Sequence, residues 1–103
     1  INSVYFSAET FTAGFISSLR QKSVFDFKNN ITSSSMLIID DLHCLIGRKQ
    51  TIGEFTNIMS QMLDEGKKIV ISSVAKPSEF DYKMQSRMLS GIVANIGRPS
   101  NEL

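Results

Sequence analysis

The chain has 103 residues, 42% of them hydrophobic, and its eleven Lys and Arg residues nearly balance ten Asp and Glu residues, leaving a net charge of +1. This length allows one domain or part of one, and the hydrophobic content excludes a disordered segment. The small net charge excludes a general attraction to nucleic acid, so any such binding must depend on a local basic patch. A single cysteine, with neither a signal peptide nor a membrane-spanning apolar run, predicts a reducing, cytoplasmic setting and no membrane partner.

The N-terminal third predicts a strand followed by two helices. The β-branched and aromatic residues 4–6 are typical of a short strand, and Ser7 is placed to cap a helix over residues 8–20. This helix has one apolar face, formed by Phe11, Phe15, Ile16 and Leu19. Ser23 can cap a second short helix. The polar run 29–35 has no periodicity and predicts a loop.

The middle of the chain predicts a buried strand and a strongly periodic helix. Residues 36–39 form an apolar run without alternation, as expected of a strand covered on both faces. Thr51 and Glu54 have the spacing of a capping box at a helix start, and Gly66 can end that helix in a left-handed conformation. The apolar positions of the helix are Phe55, Ile58, Met59, Met62 and Leu63.

Two more strands and a helix complete the prediction. Residues 69–71 and 91–94 predict strands, and residues 79–89 predict a helix between them. Alternating strands and helices imply crossover connections, and these produce a parallel sheet with helices on its faces. The sequence therefore predicts an α/β fold.

Two acids, Asp40 and Asp41, directly follow the apolar strand of residues 36–39. In a parallel α/β sheet, ligands bind at the carboxyl ends of the strands. Carboxylate oxygens suit Mg²⁺, and a second acid there can position a water for attack on phosphorus. The spacing alone fits equally well a strand that simply ends in solvated acids. His43 and Cys44 lack the second ligand pair that a zinc site needs.

The segment 37–43 resembles the Walker B strand of the AAA+ superfamily, and its context resembles the bacterial replication initiator DnaA. Residues 7–20, continued by Phe27 and Lys28, look like the paired helices that distinguish DnaA from other AAA+ proteins. Ser86 and Arg87, followed by Gly91, resemble the arginine-finger segment of that family. Other positions agree in order and spacing with the family: Glu54, Phe55, Gly66, Lys67, Ile69, Val70, Ser73, Pro77 and Glu79.

The resemblance implies that residues 1–103 are part of an AAA+ nucleotide-binding domain, from the Walker B strand to the arginine finger. It implies a fragment of a chromosomal replication initiator, whose family binds ATP with Mg²⁺ and opens origin DNA. Asp40 would coordinate Mg²⁺ through water, Asp41 would be its catalytic partner, and Ser73 would contact the nucleotide. Arg87 would reach the ATP of a neighbouring DnaA-type protomer in an oligomer, where a guanidinium can meet phosphate oxygens in a fork.

Single-stranded origin DNA is the other ligand that the resemblance implies, held by the paired helices and nearby loops. The matching positions are Ile16, Arg20, Lys22, Arg48 and Lys49. Basic groups that follow phosphates suit this binding. Gln50 stands where many relatives carry a further basic residue, and ordinary surface charge is an equally good interpretation of these side chains.

The sequence also departs from the family. A Gly-x-x-x-x-Gly-Lys-Thr loop should precede Val4, and a strand should lie between those of residues 69–71 and 91–94, but neither is present. The C-terminal lid and the helix-turn-helix domain are also missing. Val74 replaces an acid, and Lys83 and Gln85 replace arginines. Because the chain begins at Ile1 and enters a strand almost at once, we expect a fragment that by itself neither binds ATP tightly nor hydrolyses it.

Three other interpretations fit parts of the sequence. A phosphoacceptor receiver domain also has paired acids, but its acid pair lies near the N-terminus and a later strand ends in Asp, whereas residues 69–71 lead into Ser72 and Ser73. A DnaA-related regulatory adaptor of the Hda type, which docks on DnaA and stimulates its hydrolysis, remains open. So does a non-functional remnant that acts only through protein contacts.

Overall fold

The computed structural model describes residues 2–73, 79–91 and 94–96, and strands and helices alternate along them. The elements are β1 (Ser3–Ser7), α1 (Ala8–Arg20), α2 (Val24–Thr32), β2 (Met36–Asp40), a 3-10 helix (Leu42–Leu45), α3 (Lys49–Asp64), β3 (Lys68–Ser72), α4 (Tyr82–Gly91) and β4 (Ala94–Ile96). The strands form one parallel sheet in the order β1-β2-β3-β4. This confirms the predicted α/β fold with its parallel sheet and helices. Val74 and Pro77 lie outside the described residues.

Two helix ends follow the local sequence signals. The Ser7 side chain accepts a hydrogen bond from the Thr10 N–H over 3.0 Å, and the Thr10 hydroxyl accepts one from the Ser7 N–H over 2.9 Å. This reciprocal pair starts α1 at the predicted residue. At the end of α3, Gly66 has φ +79° and the Lys67 N–H donates to the Met62 carbonyl over 2.9 Å. The left-handed glycine and this bond form a Schellman motif, which confirms Gly66 as the helix stop.

The capping box predicted at Thr51 and Glu54 is wrong. Helix α3 begins at Lys49, and the Ile52 N–H already donates to the Arg48 carbonyl over 2.9 Å. Thr51 lies inside the first turn and is buried. Core burial of Thr51 and Ile52 extends the helix in the N-terminal direction, and a spacing rule cannot anticipate that packing.

Three other predicted boundaries are also wrong. The loop predicted over residues 29–35 is helical as far as Thr32, because Ile31 is only 2% exposed and packs in the core. Helix α4 begins at Tyr82 rather than at residue 79, since the Asp81 carboxylate accepts a hydrogen bond from the Met84 N–H and caps the helix there. Gly91 belongs to α4, so the last strand begins later than predicted; residues 92–93 lie outside the described part.

One face of the sheet packs against the helices and forms the core. In β2 and β3 the residues on this face are fully buried: Leu37, Ile39, Ile69 and Ile71. Phenylalanine rings from β1, α1, α2 and α3 meet above them, with centroid separations of 5.5–6.2 Å between neighbouring rings. These rings belong to Phe6, Phe11, Phe27 and Phe55. On α1, Phe15 is buried as predicted, whereas Ile16 and Leu19 each stay 39% exposed.

Helices α1 and α2 approach closely because Gly14 has no side chain. A Cβ at that position would lie 2.7 Å from Cε1 of Phe27. The Phe27 ring is itself packed against Phe6 and Phe11, so it has little room to move away. Gly14 therefore sets the spacing of the two helices.

The other face of the sheet carries Tyr5, Met36, Ile38 and Val70, which lie outside the core cluster. Burial along β2 alternates between full and partial, so among the described residues one face of the strand is fully covered and the other only partly. Beyond β3, the sheet continues directly into β4, with Ile71 paired to Asn95. The resemblance places a further strand at this position; here β4 pairs with β3 instead, and this satisfies backbone groups that an open edge would leave unpaired.

Candidate functional site

The acids at the end of β2 are joined to the end of β3 by one serine hydroxyl. Ser72 Oγ donates a hydrogen bond to Asp40 Oδ1. The Asp41 N–H donates a hydrogen bond to Ser72 Oγ over 3.0 Å. Asp41 has φ +60°, in the left-handed region that non-glycine residues seldom adopt. The strand end therefore turns sharply, and both acids lie half-buried at the carboxyl edge of the sheet.

A tyrosine reaches the same carboxylate from the other neighbouring strand. The Tyr5 hydroxyl donates to Asp40 Oδ2 over 3.2 Å, although 61% of the residue is exposed. Partial desolvation of the phenol raises the pKa of Tyr5 above its ordinary value, and the hydrogen bond to Asp40 and the charges of Asp40 and Asp41 raise it further. At neutral pH Tyr5 is therefore a protonated hydrogen-bond donor to Asp40.

Tyr5 and Ser72 are site residues that the sequence interpretation missed. Ser7 pairs with Asp40 in the strand register, and Tyr5 lies two residues earlier on the same face of β1. Ser72 follows Ile71, which pairs with Ile39, so Ser72 lies beside Asp40. A hydroxyl at the matching end of a neighbouring strand was the available signal, but its use requires the register. Ser73, the predicted nucleotide contact, lies just after β3 and is buried.

A cavity of about 480 Å³ opens between the N-terminal half of α1 and the segment after β2. Asp41, Ile16 and Arg48 are among its lining residues, and Glu9, Thr12 and Cys44 line it as well. The structure thus brings together two of the five predicted DNA contacts and sets them beside a strand-end acid. Arg20, Lys22 and Lys49 are exposed and do not line this cavity.

Arg87 lies on α4 and is held against α3. Its Nη2 donates to Asp64 Oδ1 over 2.7 Å and to the Ser60 carbonyl over 2.9 Å, while Nε donates to Ser60 Oγ over 3.0 Å. About a quarter of the side chain stays accessible, 27% of its area. The guanidinium therefore joins the two helices in this chain, and its role toward a neighbouring protomer stays a prediction.

The donor set at the strand end fits a magnesium ion but not a whole nucleotide. The carboxylates of Asp40 and Asp41 offer oxygen atoms, the ligands that Mg²⁺ prefers. Within residues 2–73, 79–91 and 94–96 no group of three or more His, Cys, Asp or Glu side chains could hold a metal ion. A cation here would complete its shell with water or phosphate oxygens. The 103 residues contain no glycine-rich loop that would cradle the phosphates.

The parallel sheet, the helices packed against it and the acids at the carboxyl end of β2 are features of part of an AAA+ nucleotide-binding domain. The bacterial DnaA ATPase domain family matches residues 1–95, so the chain belongs to that family.

Solved structures agree with this assignment. Domain III of the Thermotoga maritima replication initiation protein DnaA is 28% identical over 99% of this chain, with a TM-score of 0.84. AMPPCP-bound DnaA from Aquifex aeolicus is 26% identical over 92% of this chain, with a TM-score of 0.83. A replication initiator DnaA bound to AMPPCP and single-stranded DNA has the same identity, coverage and TM-score. The chain spans 44% of the first of these proteins and 31% of each of the other two.

Proposed function

We propose that this chain acts in replication initiation as the Walker B part of a DnaA-type ATPase domain, with a surface for single-stranded DNA. Asp40 would hold Mg²⁺ through water, and Asp41 would be its catalytic partner. A cation held there would supply positive charge that neutralises the phosphates of ATP. The observation that carries the proposal is the cavity beside Asp41, because Ile16 and Arg48, far apart in sequence, line it together.

The DNA part of the proposal rests on the chemistry of that cavity. Arg48 offers a permanent positive charge to a phosphate, and Ile16, 39% exposed, offers an apolar contact to a sugar or base. Glu9 also lines the cavity and repels phosphate, so the backbone of a bound strand would pass near Arg48 and away from Glu9. Arg20, Lys22 and Lys49 would extend the basic surface beyond the cavity. One related structure that the chain matches contains single-stranded DNA, and this supports the assignment.

Arg48→Ala is expected to weaken binding of a labelled single-stranded oligonucleotide about tenfold at low salt, because one charge-assisted phosphate contact is lost. In a plot of log binding constant against log salt concentration, the negative slope should become shallower by about 0.7. Fluorescence anisotropy measures both quantities. Lys68→Ala is the matched control: it removes an equal charge from the exposed start of β3 and should change affinity little. Equal losses in the two variants would contradict a local site.

The chain by itself is expected to show no micromolar affinity for Mg-ATP in titration calorimetry. The strand-end acids can hold a cation, but the charge of three phosphates would meet no backbone cradle within these 103 residues. A heat signal that saturates at micromolar Mg-ATP would contradict this expectation. Repeating the titration with Asp40→Asn would then show whether the signal comes from this strand end.

A second candidate function is that of a regulatory adaptor, and the chemistry of Arg87 favours it. A chain without a phosphate loop can still present an arginine to ATP held by another protomer, because a finger needs only a permanent charge and the right geometry. In this role the protein would act on a DnaA-type partner. Stimulation of the partner's hydrolysis distinguishes this function from DNA binding alone.

A further inference from the structure

The Asp40 carboxylate accepts hydrogen bonds from hydroxyl groups on both neighbouring strands. Ser72 on β3 donates to Oδ1, and Tyr5 on β1 donates to Oδ2 over 3.2 Å. Each donor takes a different oxygen, so rotation of the carboxylate about its bond to Cβ would break at least one bond. Hydrogen bonds to a charged acceptor are stronger than those between neutral groups. The carboxylate is therefore fixed in one plane.

Ser72 also holds the backbone of the neighbouring acid, Asp41. Its Oγ accepts the Asp41 N–H over 3.0 Å, at the residue with φ +60°. A left-handed conformation costs a non-glycine residue about 1 kcal/mol, so it persists where surrounding contacts hold it. One hydroxyl thus sets the carboxylate of Asp40 and the backbone direction of Asp41.

Folding stability alone does not account for the Tyr5 contact. Tyr5 is 61% exposed and lies outside the core cluster, so its hydroxyl adds little to the packing of the domain. Its bond joins an exposed phenol to the half-buried Asp40 carboxylate, and hydrogen bonds at the surface contribute little to net stability. The main effect of the Tyr5 hydroxyl is therefore to orient the Asp40 carboxylate.

We propose that Ser72 and Tyr5 are positioning residues that hold Asp40 and Asp41 in the geometry that binds a divalent cation. This inference rests on the proposed function, in which Asp40 and Asp41 form the cation side of the site. Neither hydroxyl needs to touch the cation. Groups that orient metal-binding carboxylates typically change metal affinity by about 10–100-fold when they are removed.

Binding of Mn²⁺ to the full chain, followed by the electron paramagnetic resonance signal of the free ion, tests the proposal. Ser72→Ala should raise the Kd for Mn²⁺ about tenfold, and Ser72→Thr, which keeps the hydroxyl, should restore it. Tyr5→Phe should raise the Kd less, about threefold, because its bond is longer and exposed. Tyr82→Phe, 83% exposed on α4, and Ser35→Ala, exposed ahead of β2, remove the same groups elsewhere and should leave the Kd unchanged.

Amide hydrogen exchange gives a second, metal-independent readout. Ser72→Ala should speed exchange of the Asp41 N–H about tenfold, while the amide of Ile39 in the strand interior keeps its protection. A loss of protection throughout the sheet would mean that the variant is unfolding and that Ser72 is a structural residue, which would overturn the proposal. Unchanged exchange at Asp41 would overturn it as well.

The Asp40→Asn variant separates this inference from the proposed function. Mn²⁺ binding that Asp40→Asn abolishes, but that Ser72→Ala and Tyr5→Phe leave intact, overturns the positioning role alone. If the unaltered chain does not bind Mn²⁺, or if Asp40→Asn leaves the Kd unchanged, the cation site is overturned and the positioning role with it. If Asp40→Asn abolishes Mn²⁺ binding, and Ser72→Ala and Tyr5→Phe weaken it by about tenfold and threefold, both the cation site and the positioning role are supported.

Discussion

Phe55→Ala is expected to lower the free energy of unfolding by about 3–5 kcal/mol. The side chain is fully buried in α3, and its ring stands edge-on to Phe11 at a centroid separation of 5.5 Å. Truncation removes this aromatic contact and leaves a cavity where α1, α3 and the sheet meet. Small domains are stable by only about 5–15 kcal/mol, so the loss would be a large part of the total. Urea unfolding followed by circular dichroism measures it.

Phe25→Ala is the matched control for this prediction. Phe25 belongs to α2, but 78% of it is exposed, so the same truncation should change stability by less than about 0.5 kcal/mol. A loss of under about 1 kcal/mol in Phe55→Ala would show that the domain does not depend on this core. An equal loss in the two variants would contradict the assignment of the helix faces.

The proposed role of Arg87 predicts a nearly complete loss of function in Arg87→Ala. Added to an ATP-loaded DnaA-type ATPase of full length, the unaltered chain is expected to accelerate hydrolysis, and the variant is expected to have no effect. An arginine finger stabilises the charge that develops on the transferred phosphoryl group, and such fingers contribute about a thousandfold or more in rate. The rate of inorganic phosphate release at a saturating concentration of the chain measures the stimulation.

Asp64→Ala separates this catalytic role from a structural one. Arg87 joins α4 to α3 through Asp64 and Ser60, so its removal also loosens helix packing. Asp64→Ala breaks the ion pair and keeps the guanidinium, so stimulation should persist or increase as Arg87 gains freedom to move. Equal effects of the two variants on both stability and hydrolysis would identify Arg87 as structural. No stimulation by the unaltered chain would favour the DNA-binding function over the adaptor function.

The strand-end acids were predictable from sequence, whereas the groups that hold them were not. An apolar run that leads into Asp40 and Asp41 identifies a strand end at which ligands bind. Ser72 and Tyr5 lie on other strands, more than thirty residues from Asp40. A change of register by one residue would turn either side chain to the opposite face of the sheet. Their role therefore appears only when strands β1, β2 and β3 are aligned.

Helix boundaries show the same division. Ser7 begins α1 and Gly66 ends α3, as predicted, because capping depends on backbone groups within a few residues. The prediction failed where burial competed with local signals, at Thr51 and in the polar run that contains Ile31. A single buried side chain can contribute about 1.5–3 kcal/mol, which exceeds most capping effects. Tertiary packing therefore decided these ends.

The sequence by itself determined the α/β class, the strand that ends in Asp40 and Asp41, and the similarity to DnaA, because short-range patterns and residue order carry that information. Only the tertiary structure decided that Ile16 and Arg48 line one cavity, which hydroxyls hold Asp40, and that Arg87 binds Asp64. It also decided that β4 lies directly against β3. The physical reason is common to these features: each depends on distances between residues far apart in the chain, and those distances are set by strand register and core packing.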